Sequence, residues 1–390
     1  VPRFDEIWEA ELRRREEAGR LRRLRAVERP AEGRIRTGGR FLVDFSSNDY
    51  LGLSRHPALA ERAALFAGRW GTGAGASRLV TGNLEPLEEL ERKVARAKGA
   101  EAALVLASGW QANASVLAAL LDPRTLPGEP LVFADELNHA SMRQGCRTAR
   151  ARVLSYRHLD LDHLESLLRA HAAHAGPRFV LSETVFSMDG DVADVQGLIQ
   201  LADRYGAFLY LDDAHATGVL GPDGYGLAGG EAAEAGLVVG TFGKALGAFG
   251  AYVACSRKLR DFLVNRCSGI VYSTALPPPV LGAADAAWEL VPSLGAERKR
   301  LHENARRLRE RLAAAGVDVG RSSTQIVPAI LGSDERAVRV AAALEEAGFL
   351  ALPIRPPTVP EGTSRIRLSA CAHHRPDQID RLADVLAAAL

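Results

Sequence analysis

Between residues 103 and 255 one pattern repeats along the chain. Short apolar runs at Ala103–Ala107, Leu131–Ala134, Arg152–Tyr156, Arg178–Ser182, Ala207–Leu211, Leu237–Gly240 and Ala251–Cys255 show little polar alternation. Between several of them lie segments of helical period, such as Ala112–Leu121, Leu161–His171 and Val195–Tyr205. A strand that is apolar on both faces needs cover on both faces, so the pattern predicts an α/β fold with a mainly parallel sheet between helices. Before this region, residues 1–30 have an amphipathic, Arg-rich helical pattern running to Pro30, and residues 40–46 predict a short strand. After it, the LPPPV run from Leu276 cannot continue a helix or a central strand. Helices over Glu297–Ala315, Glu335–Ala347 and Pro376–Ala389 then alternate with strands at Gln325–Leu331, Leu350–Ile354 and Arg365–Ser369, the makings of a smaller α+β unit. The predicted organisation is an N-terminal helical segment over 1–45, a large domain over 46–285 and a small C-terminal domain over 286–390.

Composition narrows the function classes. Of the 390 residues, 47% are hydrophobic and 25% charged, with a net charge of +1, the profile of a globular protein rather than a disordered one. A near-neutral chain has no general pull on nucleic acid or anionic lipid, so a scaffold working through its Arg-rich N-terminus is disfavoured. No apolar run reaches the roughly 18 residues of a membrane span, and the first residues lack the apolar stretch of a secretory signal. Cys146, Cys255, Cys267 and Cys371 are scattered without a C-x-x-C pair, which predicts neither a zinc site nor a disulfide framework and suits a reducing cytoplasm.

One count redirects attention to chemistry. The 49 basic residues include only five lysines, Lys93, Lys98, Lys244, Lys258 and Lys299. Arginine cannot shed its proton in a protein, whereas lysine can, and is then a nucleophile. Four of the five stand in charged contexts expected at the surface. Lys244 alone stands in a glycine-rich, uncharged turn, GTFGKALGAFG. Such a setting disfavours the charged amine and suits a Schiff base. A phosphate-anchoring lysine is the alternative, although Ala245 occupies the place where a P-loop needs Ser or Thr.

In open α/β sheets ligands bind beyond the carboxyl ends of the strands. Polar groups follow five of the predicted strands: Ser108-Gly109-Trp110; Asp135 and Asn138–Ser141; Glu183 and Ser187–Asp191; Asp212-Asp213-Ala214-His215; and Thr241–Lys244. Asp212 at the end of FLYLD could keep a pyridinium nitrogen protonated, could cap a helix, or could join His139, Glu183 and His215 as a metal ligand in a hydrolase. Trp110 and His139 offer flat rings for stacking, or simple packing. Arg355, Arg365 and Arg367 are candidates to clamp a carboxylate. Arg365 and Arg367 are expected on one strand face, opposite Ile366 and Leu368. Gly71–Arg78 lacks the third glycine and the preceding strand of a dinucleotide fingerprint. The pairs His171/His174 and His373/His374 are expected at the surface.

Nearly the whole chain resembles the α-oxoamine synthases, pyridoxal 5'-phosphate (PLP) enzymes of fold-type I. The resemblance rests on Ser47-Asn48-Asp49-Tyr50-Leu51-Gly52-Leu53, Ser77-Arg78 with Thr81-Gly82-Asn83, Asn138–Ser141, Ser187–Asp191, Asp212–His215, Gly240–Lys244 and the Thr358-Val359-Pro360 stretch. It implies that Lys244 carries PLP as a Schiff base, Asp212 pairs with the pyridinium nitrogen, His215 bonds the ring hydroxyl and His139 stacks on the ring. Ser108, Gly109, Trp110 and Thr241 would surround the cofactor and its phosphate, with Ser187 and Glu183 beside the ring. Trp110 stands where the family usually has Phe or Tyr. Thr274 would reach the phosphate of a second subunit, implying a homodimer with shared active sites. Arg367 would bind the amino-acid carboxylate near Asn48, and Arg22 and Thr358 the acyl thioester. No metal is implied. The segments GTFGKALGAFGAYVA, YSTALPP and IRPPTVPEGTSRIRLS are closest to the branch that joins L-alanine to a pimeloyl thioester, from CoA or a carrier protein, in biotin synthesis. Branches using glycine or serine are the alternatives.

Overall fold

The computed structural model describes residues 3–30 and 33–390. Its strands are β1 (Arg34–Thr37), β2 (Arg40–Asp44), β3 (Ala102–Leu106), β4 (Leu131–Asp135), β5 (Arg152–Tyr156), β6 (Arg178–Glu183), β7 (Ala207–Asp212), β8 (Gly236–Thr241), β9 (Ala251–Cys255), β10 (Ile326–Gly332), β11 (Phe349–Leu350), β12 (Pro353–Ile354) and β13 (Ser364–Ser369). The chain divides into two compact units. One holds Asn48–Ser187 and Asp191–Lys299; the other holds Val1–Ser47, Met188–Gly190 and Arg300–Leu390.

The larger unit is built on a seven-stranded sheet of order β3-β9-β8-β7-β6-β4-β5. Only β9 runs against its neighbours β3 and β8, so the other six strands share one direction. Alternate residues of the inner strands face opposite sides of the sheet, as the period of two demands. In β4, Val132 and Ala134 join a core with Val116, Leu117 and Met142. Leu131 and Phe133 face the other way, to Leu164, Leu168, Leu198 and Leu201. The inner strands are therefore covered twice, which is why their sequences show no alternation; the edge strand β5 is not, and its Val153 is 41% exposed. Helices form over the segments that the sequence pattern marks, two of them with these polar N-caps. The Ser108 hydroxyl accepts from Gln111 N at 3.1 Å to open Gly109–Leu120, and Asp194 caps Val195–Arg204. The triple-proline run starts a helix, Pro278–Leu290, where its missing N–H groups cost nothing.

The smaller unit has two three-stranded sheets, β1-β2-β11 and β10-β13-β12. Helices Asp334–Glu346 and Pro376–Ala388, with the part of Gly295–Ala314 beyond residue 300, supply Val340, Leu344, Leu382, Leu308 and Leu312 to one core with Ile366 and Leu368.

Four expectations are corrected. The N-terminal helix covers only Phe4–Glu17. Gly19 turns left-handed at φ 64° and releases the chain, so the stretch to Pro30 is not helical. The expected strand Leu350–Ile354 is split into β11 and β12, which join different sheets. Lys98 is not a surface lysine: it is 2% exposed and its ammonium lies 2.8 Å from Asp213 Oδ2. His374 is likewise buried, stacked on Phe45 at 3.9 Å between ring centres. Both were misplaced because polar local context says nothing of a partner more than a hundred residues away.

Candidate active site

In the larger unit the six co-directional strands end on one rim, and their registers bring the chemistry together. β6 and β7 pair in parallel with Glu183 opposite Asp212, which puts two buried carboxylates side by side. The Asp212 carboxylate is held at both oxygens: Oδ2 accepts from Asn113 Nδ2 at 2.7 Å, and Oδ1 from Ala214 N at 3.0 Å. Asn113 is fixed in turn, accepting from Tyr210 Oη at 2.8 Å and donating to Ser141 Oγ at 3.0 Å. Glu183 Oε1 accepts the backbone N–H of His139 at 2.7 Å. Burial pushes the Glu183 carboxyl well above the usual range; the charge of Asp212 adds to this and that of Lys244 opposes it. Burial of a carboxyl beside a second carboxylate favours its neutral form.

His139 caps the helix Ala140–Ala149. Its Nδ1 lies 2.6 Å from Ser141 Oγ, and its ring meets Trp110 edge to face at 6.1 Å. Burial lowers its pKa, helped by the charges of Lys244 and Arg143 against that of Asp212. The imidazole is thus neutral at pH 7, as a stacking ring next to a cation should be. His215 is buried, with Nδ1 2.8 Å from Tyr50 Oη. Tyr50 Oη also donates to Asn48 Oδ1 at 3.1 Å.

Lys244 is half-buried in the loop after β8, and its charge acts on both His139 and Glu183. The loop closes on itself. Thr241 Oγ1 donates to Gly250 O at 2.8 Å and accepts from Gly243 N at 3.1 Å, and Gly247 N donates to Lys244 O at 2.9 Å. Gly247 has φ 63°, and a Cβ there would run into the backbone of Leu53 and Ser54, so only glycine allows the loop to sit this close. Ser108 and Gly109 open their helix with no atom within 4 Å of where a Gly109 Cβ would stand. Trp110 is 52% exposed. Ser187 is half-buried at the tip of a hairpin. Thr274 is exposed, in an antiparallel bridge with Ser77.

The smaller unit brings together two of its sequence-marked residues: Arg22 Nη2 donates to Thr358 Oγ1 at 3.2 Å. Arg365 and Arg367 are both buried. Arg367 donates to Ser369 Oγ at 3.0 Å, and Arg365 forms an ion pair with Asp189. Cys371, His373 and His374 have metal-like proximity. His374, however, accepts from Cys371 N at Nδ1 and meets Asp44 O at Nε2, 3.1 and 3.0 Å away, which leaves its ring no lone pair for a metal.

Sequence reasoning assigned no role to Asn113 or Tyr50. For Asn113 the signal was present: it is a polar residue on the apolar stripe of Ala112, Val116 and Leu117. For Tyr50 there was none beyond its motif.

The chain matches the family model described as aminotransferase class I and II over residues 41–386. It is 54% identical over 388 residues to the 8-amino-7-oxononanoate synthase of Gluconacetobacter diazotrophicus, covering 99% of this chain and 97% of that protein. A Paramagnetospirillum magneticum protein that carries the same name provisionally is 60% identical over 367 residues, 94% of this chain and 93% of that one. Among solved structures, a variant of serine palmitoyltransferase from S. paucimobilis with a PLP–myriocin aldimine bound superposes with a TM-score of 0.90 at 26% identity, covering 98% of this chain and 96% of that one. The fold is thus that of fold-type I, and the chain belongs to the aminotransferase class I and II family, in the group of enzymes whose members are named 8-amino-7-oxononanoate synthase.

Proposed function

We propose that this enzyme condenses L-alanine with a pimeloyl thioester, releasing CO2 and the free thiol and giving 8-amino-7-oxononanoate for biotin synthesis. The observation that carries the reading is the rim cluster: the backbone N–H of His139 donates to Glu183, Glu183 stands opposite the Asp212 carboxylate, and the amine of Lys244 acts electrostatically on both His139 and Glu183. The names of the relatives support the choice of reaction.

The donor set fits PLP. Asp212 is buried and braced by Asn113, ready to keep a ring nitrogen protonated. His215 offers its ring to a phenolic oxygen, and His139 presents a face. Ser108, Gly109 and Trp110 form a helix N-terminus of the kind that accepts phosphate, and Thr241 joins them as a cofactor-binding residue in this reading. Bound there, PLP supplies an electron sink for the charge left when a bond to the amino-acid Cα breaks. The chain's own groups do the rest. The Lys244 amine takes the Cα proton. Glu183 holds the His139 backbone, and Ser187 flanks the ring. Arg367 takes the substrate carboxylate, and Asn48 is a further substrate-binding residue in this reading. That orientation keeps the breaking bond aligned. Arg22 and Thr358 receive the acyl chain.

The working form is a homodimer in which Thr274 serves the second copy. Tyr272 and Val80, 86% and 74% exposed near the Ser77–Thr274 bridge, leave an uncovered apolar surface there. Among the described residues no helix is long and apolar enough to cross a membrane. The four cysteines are buried and unpaired, which agrees with a cytoplasmic enzyme.

Product analysis with pimeloyl-CoA and alanine, glycine or serine in parallel tests the reading. Alanine should give the dominant product, and Lys244→Ala should lose both turnover and the visible absorbance of the bound cofactor. Preference for glycine or serine, or full activity in Lys244→Ala, would overturn it.

A further inference from the structure

His158 stands outside the set of residues given a role above. It follows the edge strand β5 and is 16% exposed at its side chain. Its Nδ1 lies 2.9 Å from Asp135 Oδ1 and its Nε2 lies 2.9 Å from Asp191 Oδ2. Both ring nitrogens face carboxylate oxygens, so both must carry protons, and the ring is a cation. Its pKa is raised to about 10: the two aspartates outweigh the burial that opposes them. Phe186 meets the ring edge to face at 4.4 Å.

The two aspartates lead to two different parts of the rim. Asp135 ends β4 and starts the turn that carries His139; its Oδ1 also accepts Leu137 N at 2.9 Å. Asp191 closes the hairpin that carries Ser187. That hairpin is held by Phe186 N on Asp191 O at 3.1 Å and Ala193 N on Thr184 O at 3.0 Å. Its first strand continues directly from Glu183. Asp191 is 4% exposed, and its Oδ1 has no hydrogen-bond partner among the described residues. The bond to His158 is thus what compensates that buried carboxylate. The backbone reinforces the arrangement: His158 N donates to Glu136 Oε1 and Leu159 N to Asp135 Oδ2, both at 2.9 Å. Leu159 adopts φ 56° to do so, a conformation that a branched residue keeps only where its surroundings impose it.

We propose that His158 is a positioning residue that clamps the His139 turn and the Ser187 hairpin together through Asp135 and Asp191, and so sets the alignment of His139, Glu183 and Ser187. The two segments already meet inside, at Glu183 and His139 N; His158 closes the same pair from outside. It touches neither cofactor nor substrate in this scheme. Its loss alters alignment, which governs the reacting geometry more than initial substrate capture.

The inference rests on the proposed condensation, so its test has a reading independent of turnover. Hydrogen exchange on the PLP-loaded protein is compared for the parent and His158→Gln. Peptides spanning 135–141 and 183–193 should both exchange faster in the variant, while the remote helix Pro376–Ala388 is unchanged. In the condensation assay kcat should fall between about 10- and 100-fold, with the amino-acid KM moving less than about threefold. Asp191→Asn should reproduce the loss, and the double variant should be no worse than either single one, because both remove one clamp. Asp191→Asn alone decides the matter if His158→Gln does not fold. Unchanged exchange in either segment, kcat within twofold of the parent, or additive losses would overturn the proposal. A parent enzyme inactive with every amino acid would instead sink the condensation reading and leave the exchange result to judge the clamp.

Discussion

Replacing Lys98 by methionine tests the buried ion pair under the rim. The Lys98 side chain is 1% exposed and that of Asp213 0%. In Lys98→Met the ammonium disappears at nearly constant volume. Asp213 then keeps only Thr184 Oγ1 at 2.7 Å and Leu227 N at 3.1 Å as donors, and Tyr225 O loses the 2.8 Å bond it accepts from Lys98. Stranding one charge of a buried pair costs about 3–5 kcal/mol. For a unit of this size that is a fall of roughly 6–20 °C in the melting midpoint. Differential scanning calorimetry of the cofactor-loaded protein measures it. The double variant Lys98→Met/Asp213→Leu should recover much of the loss, because removing both charges removes the desolvation cost with them. If Lys98→Met melts within about 2 °C of the parent, or the double variant melts below it, the pair is not what holds Lys98 and Asp213 inside.

Three further outcomes are expected. His374 is neutral when folded, burial having lowered its pKa to about 3, with the His373 charge adding to the effect. The unfolded chain binds a proton below about pH 6.5, so this group costs stability as pH falls from there towards 3 and nothing above; urea titrations should lose up to about 5 kcal/mol across that window, and His374→Phe should flatten the decline. Gly247→Ala puts a Cβ against the Leu53–Ser54 backbone at positive φ and should cost about 1–3 kcal/mol with a drop in activity, measured by thermal melts and initial rates; a variant as stable as the parent would show that the close approach is not required. Asn113→Leu removes the 2.7 Å donor to Asp212 Oδ2 and should weaken PLP binding roughly tenfold or more, since a bond to a charged group is worth about 1.5–3 kcal/mol; absorbance titration reads the affinity, and an unaltered value would remove Asn113 from the site.

The sequence by itself determined the alternation of strands and helices, the strand ends that carry polar groups, and the singular context of Lys244. These are local properties: apolar runs, helical period and glycine content act over a few residues, and a parallel sheet follows from strands apolar on both faces. It also marked Arg365 and Arg367 on one face of a strand, opposite Ile366 and Leu368. It did not show that this polar face too is buried. Tertiary structure alone decided which distant groups meet. The register that sets Glu183 beside Asp212, the partner that takes Lys98 inside, the two aspartates that turn His158 into a cation and the bonds that bury His374 all join segments separated by tens to hundreds of residues. The physical reason is that the cost of burying a charge is settled by its neighbours in space, and no local pattern encodes them.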